Sequence, residues 1–230
     1  MDEYLKKHGE MCRAAAKECG IDDESELLKF QTICAFLADN PGLLSWRGKG
    51  EKPKPTTRWG IGQLAKKYFG ARAKKDWPAE PTTVPDEAVS IVIRAVYGYT
   101  AAEAERIKAE HQHAMSAENI VGSLLERYIA SVMEAHGWVW CAGDFVKAVD
   151  FVKQKADNAG WQAVQVKNRN NTENSSSAAI RQGTDIEKWF RSFAKKQATN
   201  WDKFPEPEFR GKLSEAGFRN FLRDYLTKQR

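Results

Sequence analysis

The sequence predicts an α/β fold: a small mixed sheet flanked by helices, with a mostly helical N-terminal part. Three observations carry that reading. Apolar residues recur at helical spacing through residues 3–39 and again through 86–136. After Gly137 the period changes, and 138–141, 145–153 and 161–167 become short runs rich in Val, Phe and Trp, which suit a pleated, half-buried surface. Helical spacing then returns in 186–198 and 213–226. A chain of 230 residues can bury a substantial core.

Each element has its own local cause. Residues 3–18 form a helix with Leu5, Met11, Ala15 and Cys19 on one face. Residues 23–39 form a second, capped by Asp22 or Asp23 and stopped by Asn40-Pro41-Gly42. The stretch 47–58 is too rich in Gly, Pro and Lys for regular structure and reads as a basic loop or arm. A short helix over 59–69 and a further basic run, 71–75, follow it. Residues 78–85 are a turn-rich break, followed by helices over 86–97 and 101–115. Thr100 and Glu103 supply a capping box for the latter. Ser116 is placed as the cap of a separate helix over 118–136, which carries Val121, Leu124, Leu125, Tyr128, Ile129, Val132 and Met133 on a broad apolar face. Residues 157–160 supply a turn between the last two strands, and Thr184 caps the helix read over 186–198. The resulting organisation is a helical N-terminal region over 1–115, with its basic arm at about 47–75, and a second region over 116–230.

Charge narrows the partner. The chain carries a formal net charge of +5, unevenly spread. Residues 41–75 hold ten Lys and Arg against one acid, and residues 161–230 hold fourteen against eight, with an acidic segment between them. Two basic segments of this kind suit a polyanion-facing surface. No run of about 18 apolar residues is present, so no membrane span is expected. The N-terminus lacks an apolar signal core and reads as that of an intracellular protein. The four cysteines lack metal-ligand spacing and read as structural thiols. His111 and His113 are two apart, on different helix faces, and do not make a metal site.

The chemistry concentrates between residues 149 and 181. Asp150 lies in an apolar run, and a second run delivers Gln165-Val166-Lys167. A phosphodiester resists attack because its own charge repels nucleophiles. A divalent cation held by carboxylates neutralises that charge and lowers the pKa of bound water. Mg²⁺ needs only one or two carboxylates plus the substrate phosphate and waters. A neighbouring lysine can orient the water and offset developing charge. Asp150 and Lys167, near the ends of two pairing strands, suit those roles. A polar tract over 168–177 follows directly, and its Asn, Arg and Ser side chains match base edges and phosphates. Asn168, Arg169, Asn170, Asn171, Asn174, Ser175, Ser176 and Arg181 are the candidate DNA-binding residues, while Trp189 and Phe190 read as core.

This arrangement resembles the PD-(D/E)xK nuclease superfamily. Asp150 matches the aspartate, Gln165-Val166-Lys167 the tripeptide, and Glu126 the acid carried on the preceding helix. The departure is Gln165, where a carboxylate is usual, so Glu126 or Glu173 would compensate. The VDF strand at 149–151, QVKNR at 165–169, the Asn/Ser tract at 170–177, Ala-Ile-Arg at 179–181 and the segment 184–191 further resemble the SinI-type restriction endonucleases. The resemblance covers 121–201 best and implies a restriction-endonuclease-like core over 116–230, with DNA recognition in 168–191. It implies a type II restriction enzyme of a bacterial or archaeal restriction–modification system, acting in the cytoplasm. Its reaction would be Mg²⁺-dependent cleavage of double-stranded DNA at GGWCC (W is A or T), leaving 5′-phosphates. Asp150, Glu126 and Gln165 would hold the metal and Lys167 would serve the water. A near-palindromic target implies a homodimer, and no nucleotide cofactor is expected. Three other readings compete: a nuclease of the same fold with a repair or structure-specific target, a catalytically degenerate DNA-binding protein, and an unrelated RNA-binding α/β protein.

Overall fold

The computed structural model describes residues 1–47, 50–156, 160–171, 179–182 and 184–229. Helices α1 (Asp2–Glu18), α2 (Glu24–Asp39) and α3 (Arg58–Ala73) form the N-terminal layer. Asp23 caps α2 by accepting from the backbone N–H groups of Ser25 and Glu26. The buried residues of α1 are Cys12, Ala15 and Ala16, and Met11 and Cys19 of the expected stripe pack against the core partly buried. Cys12, Cys34 and Cys141 are buried and all four thiols are free, as expected of structural cysteines. Among the described residues no helix is long and apolar enough to cross a membrane.

The basic arm is more integrated than its composition suggests. Pro53 and Pro55 are buried, and the Tyr4 hydroxyl donates to the Pro55 carbonyl. Thr57 caps α3 through the Gly60 N–H. A Cβ at Gly60 would overlap the Lys54 backbone, so only glycine lets the loop lie against the first turn of α3. The helix runs to Ala73 and buries Ile61, Leu64, Tyr68 and Phe69. Arg72 is a structural ion-pair partner: it binds Glu134 at 2.6 and 2.9 Å and Glu26 at 2.9 Å.

Helix α4 (Glu87–Tyr97) ends at Gly98 in the left-handed region. Helix α5 (Ala101–Met133) opens on the capping box of Thr100 and Glu103 and then runs unbroken for 33 residues. Ser116 therefore lies inside one helix and caps nothing. Its neighbours Met115 and Ala117 continue the helix readily, and no Gly or Pro interrupts it there.

The sheet has four strands in the order β1 (Val139–Trp140), β2 (Phe151–Gln154), β3 (Trp161–Arg169), β4 (Ile186–Ser192). The first two pairings are antiparallel and β3–β4 is parallel. Two expectations are corrected here. Residues 145–150 are not strand: Val146 makes only an isolated bridge to Leu44, and Ala148 takes a positive φ of 55° that turns the chain before β2. Residues 186–192 are strand, not helix, so Thr184 is no helix cap. Ile186, Trp189, Phe190 and Phe193 keep helical spacing, which the tertiary structure overrides. The exposed edge of β3 supplies the parallel partner that decides this. The predicted turn at 157–160 falls mostly outside the described residues. The last helix, α6 (Glu215–Thr227), is capped by Ser214.

One buried core joins these layers. Phe30, Ile33 and Leu64 from the N-terminal helices meet Leu125 and Ile129 of α5, Phe151 and Val164 of the sheet, and Phe209 and Phe218 from the C-terminal segment. Trp189 is almost fully buried, its ring tilted against Trp201 and edge-on to Phe204.

Candidate active site

The site forms where the sheet meets α5. Asp150 stands one residue before β2, opposite Gln165 by extension of the register that pairs Phe151 with Val164. Its N–H donates to the Val164 carbonyl at 2.9 Å, and its own carbonyl accepts from Cys141 at 2.8 Å. Its carboxylate Oδ2 accepts the Val166 N–H at 2.7 Å. A ladder position that a backbone carbonyl would ordinarily fill is thus filled by the Asp150 side chain, which fixes it beside β3. Gln165 and Lys167 are two apart on β3 and share a sheet face. Helix α5 packs over β3 and brings Glu126 in from the side, held by the Trp140 indole N–H at 2.9 Å.

Electrostatics show how close these groups are. Burial pushes the Glu126 carboxyl up to about 8, with the Asp150 charge adding to it, while the Trp140 N–H and Lys167 pull the other way. Burial raises the Asp150 carboxyl to about 6 against the pull of the Val166 N–H and Lys167. The buried Cys141 thiol is pushed well up by desolvation and then by Asp150 and Glu126. Two carboxylates, each disfavoured when charged, therefore face one ammonium in a poorly solvated recess. Among the described residues no cluster of three His, Cys, Asp or Glu side chains surrounds one point. The donor set is two carboxylates, and that fits a hard cation that keeps waters and takes further oxygens from a phosphate.

Gln165 is buried, only 2 % exposed. Its Oε1, the atom with which an amide would ligate a cation, accepts from the Arg181 guanidinium. The remaining sequence-predicted binding residues follow β3 outward. Asn168 is half-buried and its Oδ1 accepts from Arg191 Nε at 2.9 Å. Arg169 is exposed. Asn170 accepts from the Ala194 N–H at 2.8 Å through its Oδ1. Asn171 is exposed. Glu173, Asn174, Ser175 and Ser176 lie outside the described residues.

Two features escaped sequence reading. One is Trp140, whose indole reaches back to Glu126 from a strand two residues long. The other is a groove of about 820 Å³ beside the end of β3, lined by Asn168, Arg169, Arg191, Lys196, Glu215 and Arg219 among others. Arg191 is held there by Glu215 at 2.8 Å. The excess of basic residues over 161–230 was the available signal, but no spacing in the chain announces that β4 and α6 bring these to β3.

The sequence is similar to those of known proteins. The family model described as SinI restriction endonuclease matches residues 11–228. The chain is 46% identical over 201 residues to the type II restriction enzyme Eco47I of Escherichia coli. It is 44% identical over 201 residues to the type II restriction enzyme SinI of Salmonella infantis. Each match covers 87% of this chain and 87% of the relative.

Proposed function

The chain belongs to the SinI restriction endonuclease family, and from that premise we propose its reaction: Mg²⁺-dependent hydrolysis of both strands of duplex DNA at GGWCC, leaving 5′-phosphates and 3′-hydroxyls. The observation that carries the chemistry is the pair Asp150 and Glu126 beside Lys167, all within electrostatic reach at the junction of β3 and α5. The target sequence rests on the family resemblance of 165–191.

In this reading Asp150 and Glu126 would hold the cation. When bound, Mg²⁺ supplies neutralisation of the phosphodiester charge and a lowered pKa for water. The Val166 N–H and Trp140 N–H fix the two carboxylates so that little reorganisation accompanies binding. Lys167 orients the attacking water and offsets charge that builds on the phosphate. Gln165 tethers Arg181 in the absence of DNA. Gln165, whose Oε1 is held by Arg181 here, would join Asp150 and Glu126 in holding the cation once Arg181 engages a base or phosphate. Arg169 and Asn171, exposed at the end of β3, contact the duplex together with the 174–176 stretch. Asn168 and Asn170 shape the backbone that presents them through Arg191 and Ala194. Residues 1–115 buttress a nuclease core over 116–230. A near-palindromic site is read by a homodimer, one active site per strand.

Digestion of a sequenced plasmid in Mg²⁺ tests this. The wild type gives discrete fragments that end at GGWCC, while Asp150→Ala and Lys167→Ala each lose at least about 10³-fold in rate. Equal cutting by wild type and Asp150→Ala refutes the site. A smear, or cutting only at branched DNA, refutes the target.

A further inference from the structure

The groove at the end of β3 continues the candidate active site along two of its walls. Arg169 follows Lys167 by two residues on β3, about 6.6 Å further on at 3.3 Å per residue. Val121 precedes Glu126 by five residues on α5, about 7.5 Å away at 1.5 Å per residue. The remaining walls are the segment 193–199, which leaves β4, and the start of α6. The segment 193–199 is held in one shape. The Phe193 N–H donates to the Ala198 carbonyl at 3.2 Å, the Ala198 N–H to the Lys196 carbonyl at 2.9 Å, and Ser192 bridges Thr199. Asn170 accepts the Ala194 N–H at 2.8 Å and so ties the segment to β3. Lys196 is exposed on it, its ammonium 3.9 Å from the centroid of the Phe193 ring. Among the described residues no carboxylate pairs with Lys196.

Glu215 treats its two arginines differently. Arg191, 15 % exposed, gives both Glu215 oxygens a bond at 2.8 Å and Asn168 another through Nε, so it is a brace between β4, β3 and α6. Arg219 is 65 % exposed and, among the described residues, meets Glu215 through Nε alone, at 3.2 Å. Its two terminal nitrogens remain available to the groove.

We propose that this groove seats the sugar–phosphate backbone of the duplex beside the cleavage site, with Lys196 and Arg219 each bonding a phosphate. The proposal rests on the DNA-cleaving reading above and extends the DNA contact beyond 168–191, into residues that carry no motif. Cations drawn from separate elements, Arg169 on β3, Lys196 after β4 and Arg219 on α6, suit a line of phosphates. An ammonium is a point charge without the planar pair of donors that reads a base edge. Bases of a single strand would need open aromatic faces to stack on, and the one ring that lines the groove, Phe193, already carries Lys196 over it. Phosphate contacts fix register and orientation and carry no sequence information. A strand seated here is registered against the Asp150 and Lys167 recess into which the groove leads.

Fluorescence anisotropy tests this in EDTA, where nothing is cut, with one duplex that contains GGWCC and one that lacks it, between about 0.05 and 0.3 M salt. The variants are Lys196→Gln, Arg219→Gln, the two together, and Lys17→Gln on α1 as an exposed charge outside the groove. All three side chains are exposed, and thermal unfolding should show each variant folded. Each groove variant should weaken binding to both duplexes alike, by about eightfold at 0.1 M salt, and make the slope of log K against log salt shallower by about 0.9. The double variant should lose about 1.8 from the slope, and Lys17→Gln nothing. Unchanged slopes in the groove variants, or an equal loss in Lys17→Gln, overturn the phosphate seat. A loss confined to the GGWCC duplex overturns it as well, because the groove would then read bases. The expected slope changes in a protein that cuts plasmid DNA elsewhere than GGWCC support the groove and refute only the target.

Discussion

At the scale of single residues, the candidate site is defined by acids that the fold makes uncomfortable. Glu126 and Asp150 are raised by burial, and Glu126 further by its neighbour's charge. A carboxyl whose folded pKa exceeds its unfolded value destabilises the native state as pH rises, because the unfolded chain ionises first. That loss begins near pH 4 to 5 and is complete near pH 8 for Glu126. Without divalent cation, Glu126→Gln should therefore raise stability by on the order of 2 kcal/mol at pH 8 and leave it unchanged at pH 4. Urea denaturation at the two pH values checks this, and an equal effect at both would mean that Glu126 carries no strain. The same variant should lose cleavage. Adding Mg²⁺ at pH 8 should raise the wild-type melting temperature and leave that of Asp150→Asn where it is, as scanning calorimetry would show. The candidate carboxylates were legible in the sequence, because an aspartate inside an apolar run and a QxK strand end are local patterns. Trp140 was not, since its role depends on where α5 passes over a two-residue strand.

At the scale of elements, the decisive finding is which periodicity won. The capping box at Thr100 is real and local. Thr100→Ala should cost about 1 kcal/mol. Ser116→Ala should change stability by less than about 0.5 kcal/mol, because Ser116 is helix interior rather than cap. A loss near 1 kcal/mol at Ser116 would show the helix broken there. Strand β4 makes the opposite point. Its apolar positions keep helical spacing, and pairing to β3 overrides it. Trp189→Ala removes the ring that packs on Trp201 and Phe204 and leaves the Asn200 carbonyl without its indole donor. Chemical denaturation should record a loss of about 3 to 5 kcal/mol.

At the scale of the whole molecule, one ion-pair cluster joins α2, α3 and the end of α5. Burial alone would raise Glu134, but Arg72 and Lys29 hold it below the usual range. That contribution is present at neutral pH and is lost as pH falls below the ordinary glutamate range, the reverse of the Glu126 trend. The cation-free protein should accordingly be most stable at acidic pH, around 4 to 5, and weaken in both directions. Arg72→Ala, which leaves Glu134 buried without its strongest partner, should cost about 3 kcal/mol and flatten the acid side of that profile. Melting temperatures across a pH series read both effects together.

The sequence by itself determined the first two helices and the three strand runs up to β3, an aspartate cap at 22 or 23, the capping box at Thr100 and the structural thiols, and it pointed to the aspartate, lysine and helix glutamate proposed for the site. Each of these is written in neighbours within about one or two helical turns, where propensity and periodicity act. Tertiary structure alone decided the rest. It decided that 101–133 is one helix, that 186–192 is a strand, that the Asp150 carboxylate fills a ladder position on β3, and that Arg72 serves packing rather than a polyanion. Those outcomes depend on partners far apart in sequence: the open edge of β3, the bend at Ala148 and the carboxylate of Glu134. A local pattern leaves such choices degenerate, and the energy of the distant contact settles them.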